Sequence, residues 1–147
     1  MAYSGKYIPK NPQKYLGDPN NIVYRSLWER TLMVKLDERE DVLNWGSEEM
    51  NIPYRSPLDN KIHRYFPDFI AKMRKADGTT FIRMIEVKPH AQSVEPTKPK
   101  KVTKRFINEV MTWGVNKAKW DAARAYCADK GWEFTVITEK ELYPKKS

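Results

Sequence analysis

Residues that staple a chain or chelate soft metals are scarce here: one cysteine, Cys127, and two histidines among 147 residues. One thiol excludes an intramolecular disulfide framework and a Cys-rich zinc site, and with so few ligating residues His63 has no expected partner. Long apolar runs are missing as well, and nothing approaches the roughly 18 residues of a membrane span. The first twenty residues hold neither a secretory apolar core nor a small-residue cleavage site, so no signal peptide is expected. Together these absences point to a reducing compartment. What is present suffices for an ordinary core, with 40% hydrophobic and 12% aromatic residues, which excludes global disorder. Length predicts one domain, 1–147. Positive charge is in excess, 27 Lys and Arg against 19 Asp and Glu for a net +8. A basic chain without a membrane signal points to a polyanionic partner, most often nucleic acid.

Charge is unevenly spread. From Asp37 to Glu49 six acids accompany one arginine, whereas from Lys98 to Arg105 there are five bases and no acid. Residues 1–20 combine Gly, Pro and Asn with Tyr3, Tyr7 and Tyr15, which predicts an arm packed by its tyrosines. Ser26 is a good N-cap for a helix carrying Leu27, Trp28, Leu32 and Leu36 at helical spacing. Residues 51–55 read as a short strand, with Pro53 favouring an edge or an end. The runs 63–73 and 80–88 read as strands joined by the Ala76–Thr79 turn, a hairpin signal. A helical pattern spans 103–130, interrupted at Gly114, with Asn116 available to cap its second half and Gly131 to close it. A strand over 133–138 and a capping box at Thr138 follow, with a short basic tail at 143–147. The acidic stretch reads as a solvated helix end and loop. This order predicts a mixed α/β domain, with one central mixed sheet flanked by helices.

Chemistry concentrates in Ile85-Glu86-Val87-Lys88. On a strand, Ile85 and Val87 share the core face with Phe81, while Glu86 and Lys88 share the other face with Ile82 and Met84. Two readings of the Glu86/Lys88 pair stay open, a solvated edge pair or a site. Asp68 sits within an apolar run directly after Pro67, and a hairpin at Asp77-Gly78 sets it across from the Glu86/Lys88 end. A carboxylate among Phe66, Phe69 and Ile70 needs compensation: a salt bridge to Lys88, a turn cap, or a hard cation shared with Glu86. Glu29 is the fourth residue of a Ser26-Leu27-Trp28-Glu29 capping box; it either closes the helix or reaches the same cluster.

Pro67-Asp68 followed eighteen positions later by Glu86-Val87-Lys88, with Glu29 on an upstream helix, resembles the PD-(D/E)XK nuclease superfamily. Tyr24-Arg25-Ser26 with Trp28-Glu29, and Arg64 through Phe69, look like its TnsA-endonuclease branch. The opening Met1 to Lys6, Lys104-Arg105-Phe106, Asn108-Glu109, Trp113, Val115-Asn116 and Lys119-Trp120 resemble the head-completion nucleases of contractile-tailed phages. The resemblance implies a restriction-endonuclease-like core and a Mg²⁺-dependent DNA endonuclease, with Mn²⁺ able to substitute. It implies Asp68, Glu86 and the Val87 carbonyl as metal ligands, Glu29 binding directly or through water, and Lys88 placing the attacking water. It further implies action on DNA ends after packaging, phage head or portal partners, and residence in the virion and host cytoplasm. A noncatalytic DNA- or portal-binding plug and a TnsA-like transposon-end-cleaving subunit are the alternatives, the latter disfavoured because no partner-binding domain follows.

Lys98, Lys100, Lys101, Lys104 and Arg105 are expected to contact phosphates beside the site, with Lys119 adding one more. The proline-containing loop that carries the first of them is long for a plain connection and is expected to flank the acids. Arg25 and Arg64 either pair with Glu29 and Asp68 or contact DNA. Trp113, Trp120 and Cys127 are expected in the core.

Overall fold

β-Branched and aromatic residues alternating with polar ones make strands here, and apolar residues at helical spacing cover them. The computed structural model describes residues 4–144. In chain order the elements are β1 (Gly5–Lys6), β2 (Val23–Tyr24), α1 (Leu27–Glu38), β3 (Val42–Ser47), β4 (Ile52–Arg55), β5 (Ile62–Tyr65), β6 (Phe69–Arg74), β7 (Thr80–Val87), α2 (Lys104–Lys130), β8 (Glu133–Ile137) and α3 (Glu139–Leu142). The main sheet runs β3-β6-β7-β8. Its first three strands are antiparallel, and β8 joins β7 in parallel. Parallel neighbours need a crossover, and α2 supplies it. The domain is therefore a mixed α/β fold around a mixed sheet.

Alternation along β7 assigns each face. Ile85 packs with Phe69, Ala71 and Met73 against Leu32, Met33 and Leu36 of α1. Met84 packs with Trp120, Ala123 and Cys127 of α2. Glu86 follows Met84 by two residues, so the sheet turns it toward α2. Gly78, at φ +88°, lets the β6–β7 connection close, and Lys75 N–H bonds the Thr79 carbonyl at 2.7 Å. Ser26 and Thr103 cap α1 and α2, and Gly131 closes α2 at φ +74°.

Several expectations fail for identifiable reasons. The run 63–73 is two strands in different sheets: β5 pairs with β4, and β6 with β3 and β7. Pro67, fully buried, cannot donate to a ladder and marks the break. The acidic stretch is not a solvated loop, because Val42 and Trp45 within it are buried core residues of β3. Gly114 does not interrupt α2, and Asn116 caps nothing. One interior glycine costs about 1 kcal/mol, which the packing of Trp120, Ala123 and Cys127 offsets. His63 does find a partner, Asp59 at 2.7 Å. The arm is held by Asp37 of α1, which is 0% exposed. It accepts hydrogen bonds from the Tyr7 hydroxyl at 2.6 Å and from the Lys10 and Asn11 amides at 2.7 and 3.0 Å. Tyr15 packs edge-on to Trp45 with ring centroids 4.8 Å apart. Tyr3 and residues 145–147 lie outside the described residues.

Candidate active site

The break at Pro67 creates the site. The β6–β7 ladder begins at the pair Phe69–Ile85, so the amide of Val87, two residues further along β7, has no main-chain partner on β6. Asp68 takes that place: its Oδ2 accepts the Val87 N–H at 2.8 Å. This bond fixes the Asp68 carboxyl beside Glu86. Glu86 is 4% exposed, and its Oε2 accepts the Trp120 indole N–H at 3.3 Å. Behind it lies Tyr65, whose buried hydroxyl has no hydrogen-bond partner of good geometry among the described residues. The Glu86 carboxylate is close enough to push the phenol up, after burial itself.

Two carboxyls side by side, one buried and one half-buried, resist ionising together without a counter-charge. Burial, and then the adjacent Glu86, push the Asp68 carboxyl up to about 9, against the smaller opposing effect of the Val87 amide. Glu29 contributes to the same field. It is half-buried on the first turn of α1, and burial raises its own pKa although Ser26 hydrogen-bonds it. The Ser26 hydroxyl accepts the Glu29 amide, so the residue caps its helix and also feels the acid cluster.

The sequence singled out four residues as chemically active, and the structure treats them differently. Asp68 and Glu86 are brought together. Glu29 is within electrostatic reach, but among the described residues no three His, Cys, Asp or Glu side chains sit close enough to share an ion. Lys88 continues β7, its amide bonded to the Ile137 carbonyl at 3.0 Å. Among the described residues its ammonium forms no ion pair with Asp68 or Glu86, so the salt-bridge reading of Asp68 does not hold. The donor set fits a hard divalent ion with few protein ligands: two acidic oxygens, main-chain carbonyls nearby, and water for the rest. It does not fit a structural zinc site, which takes four Cys or His ligands.

The basic residues divide as well. Lys98, Lys100, Lys101, Lys104 and Arg105 are all exposed, Arg105 being paired with Glu109 at 3.2 Å. Lys119 lies 5.8 Å from the ring centres of both Tyr54 and Tyr65, on the wall of the site. Arg25 pairs with Glu48 at 2.8 Å rather than with Glu29, while Arg64 is exposed.

Three contributors escaped sequence reasoning. Trp120 reads as core, and it is, yet its indole N–H also holds Glu86. Tyr65 reads as one more strand aromatic. Glu48 has φ +53°, its amide donates to the Asp68 carbonyl at 3.1 Å, and its charge raises the pKa of Glu29. A non-glycine residue in that backbone region is strained and marks a functional neighbourhood. Only the position of Trp120, one helical turn beyond Asn116, offered a signal.

Residues 39–139 match the TnsA-like endonuclease N-terminal family. That range holds Asp68, Glu86 and Lys88 and begins after Glu29. The chain is also similar to the head completion nuclease of Enterobacteria phage T4, 43% identical over 146 residues, covering 97% of this chain and 95% of the relative.

Proposed function

This chain belongs to the TnsA-like endonuclease N-terminal family, and on that premise we propose that it is a divalent-metal-dependent DNA nuclease acting in completion of a phage head. Its core is of the restriction-endonuclease-like, PD-(D/E)XK kind. The observation that carries the reading is the Asp68–Glu86 pair: a half-buried and a buried carboxyl packed together, the first pushed up to about 9. A fold that needed only stability would replace one of them with an apolar or amide residue. A cation-binding enzyme needs both.

Asp68 and Glu86 hold the ion, Mg²⁺ by its oxygen preference and Mn²⁺ as a substitute, with the Val87 carbonyl as a main-chain ligand. When bound, such an ion supplies an activated water and Lewis acidity toward the phosphodiester. The Val87 amide and the Trp120 indole orient the two carboxyls, so the ligands are aimed before the ion arrives. Lys88, free of either acid, swings its ammonium toward the scissile phosphate and stabilises negative charge there. Glu29 orients water at the edge of the pocket. Lys98, Lys100, Lys101, Lys104, Arg105 and Lys119 bind backbone phosphates and carry no sequence information. The relative's name, head completion nuclease, supports a role in completing a phage head; portal contact and residence in the virion and host cytoplasm are part of the same proposal.

The test is incubation of supercoiled plasmid with the purified protein in Mg²⁺, Mn²⁺ or EDTA. Cutting that requires metal and disappears in folded Glu86→Gln and Lys88→Ala supports the enzyme. DNA binding without cutting in any metal overturns it and leaves a noncatalytic scaffold.

A further inference from the structure

A cavity of about 1020 Å³ lies between residues 91–97 and the N-terminal half of α2. Small-molecule sites span roughly 300–1,000 Å³, so it has room for a nucleoside. One face is a single stripe of α2: Arg105, Asn108, Thr112 and Asn116, at three- and four-residue spacing, with Trp113 beside it. Gln92 closes the opposite side.

Asn116 is the unusual member. It is 6% exposed and lines the cavity. Its side-chain amide carries donors and an acceptor side by side. Four residues further along α2, about 6 Å of rise, Trp120 holds Glu86, so the stripe continues along the helix to the residue that contacts one of the acids.

The charged groups of the lining are Arg105, Glu95 and Glu109, with Arg105 paired to Glu109 at 3.2 Å; the other polar side chains are uncharged. Gln92, Asn108 and Asn116 are neutral and carry donors and acceptors together, the chemistry that pairs with base edges. Trp113, half-buried and edge-on to Trp120 with ring centroids 6.0 Å apart, adds an aromatic wall.

We propose that this cavity takes up an unpaired nucleobase adjacent to the scissile phosphate, so that the preferred substrate is single-stranded or frayed DNA rather than continuous duplex. A base can enter only after leaving the stack, and the unstacking cost is least where it is already unpaired. The inference rests on the nuclease reading above for its substrate and deepens it.

Anisotropy of a fluorescein-labelled single strand, and of the blunt duplex of the same sequence, tests it on the intact protein in EDTA. The single strand binds about tenfold tighter, and moving one abasic site along it finds a position where most of that gain disappears. Thr112→Trp, which fills the cavity from an exposed helix position, lowers single-strand affinity about tenfold; Asn108→Trp does the same if the first variant folds poorly. Equal affinity for the two DNAs, a flat abasic scan, or undiminished single-strand binding by a folded filled variant overturns the proposal. Plasmid cutting without any such preference sinks the base site alone. Preference without metal-dependent cutting sinks the nuclease reading alone.

Discussion

The indole N–H of Trp120, on the helix that crosses over the sheet, donates to the carboxylate of Glu86 at 3.3 Å inside the protein. The ring belongs to the core while its one polar atom holds the Glu86 carboxylate, so the two roles can be separated. Trp120→Phe keeps most of the buried ring and removes the donor. Groups that orient metal ligands are typically worth 10–100-fold in metal affinity or activity. We expect cleavage to fall about tenfold or more, with the Mg²⁺ dependence displaced to higher concentration. Circular dichroism, plasmid cleavage and a Mg²⁺ titration check this.

Asp68 makes a prediction about pH. Its folded pKa of about 9 stands above the ordinary 3.8, so between those values the folded protein holds a proton that the unfolded chain has released. Stability then falls as pH rises through that window. Without metal, the wild-type melting temperature drops relative to Asp68→Asn as pH goes from about 5 to about 8. Asp68→Asn is inactive yet more stable at the upper end, by about 2–4 °C for each kcal/mol gained. Saturating Mg²⁺ flattens the wild-type dependence. Thermal melts in EDTA and in Mg²⁺ across pH are the measurement.

The N-terminal segment depends on one acid. Asp37 accepts from Tyr7, Lys10 and Asn11 at 2.6–3.0 Å in a fully buried position, and the Lys14 ammonium bonds its carbonyl at 2.7 Å. Asp37→Ala leaves those donors unpaired. Hydrogen bonds to charged groups contribute about 1.5–3 kcal/mol each, so with three of them we expect a loss of at least about 4 kcal/mol. Chemical denaturation reads the loss, and limited trypsin digestion reads release of the segment through cuts at Lys6 and Lys10.

The cluster from Lys98 to Arg105 predicts salt dependence. Each phosphate neutralised contributes about 0.9 to the slope of log K against log salt on duplex DNA. Replacing Lys98, Lys100 and Lys101 with glutamine flattens the slope by about 2–3 and weakens binding alike for unrelated sequences. Binding isotherms at several salt concentrations decide it.

Local signals carried most of the architecture. Ser26, Thr138 and Gly131 cap where their chemistry dictates, and Asp77-Gly78 turns the hairpin that sets Asp68 across from Glu86. Other features needed tertiary context. Pro67 splits a run that reads as one strand, because sequence does not show which sheet each half joins. The charges around β3 conceal Val42 and Trp45, which the fold buries. Gly114 is absorbed because the helix is held by its packed face rather than by propensity. In the site, alternation predicted that Glu86 leaves the α1 face, but the Trp120 and Glu48 contacts join distant elements and have no local signature. Lys88 shows the opposite failure: the hairpin register suggested a salt bridge between Asp68 and Lys88 that is absent among the described residues.

The central claim is that Asp68 and Glu86 together hold a divalent cation. Crystals soaked in Mn²⁺ and measured for anomalous scattering test it directly. The account predicts a peak shared by the two carboxylates, with the Val87 carbonyl in its coordination sphere. A fully soaked crystal with no peak there, the two side chains instead joined carboxyl to carboxyl through a proton, would contradict it.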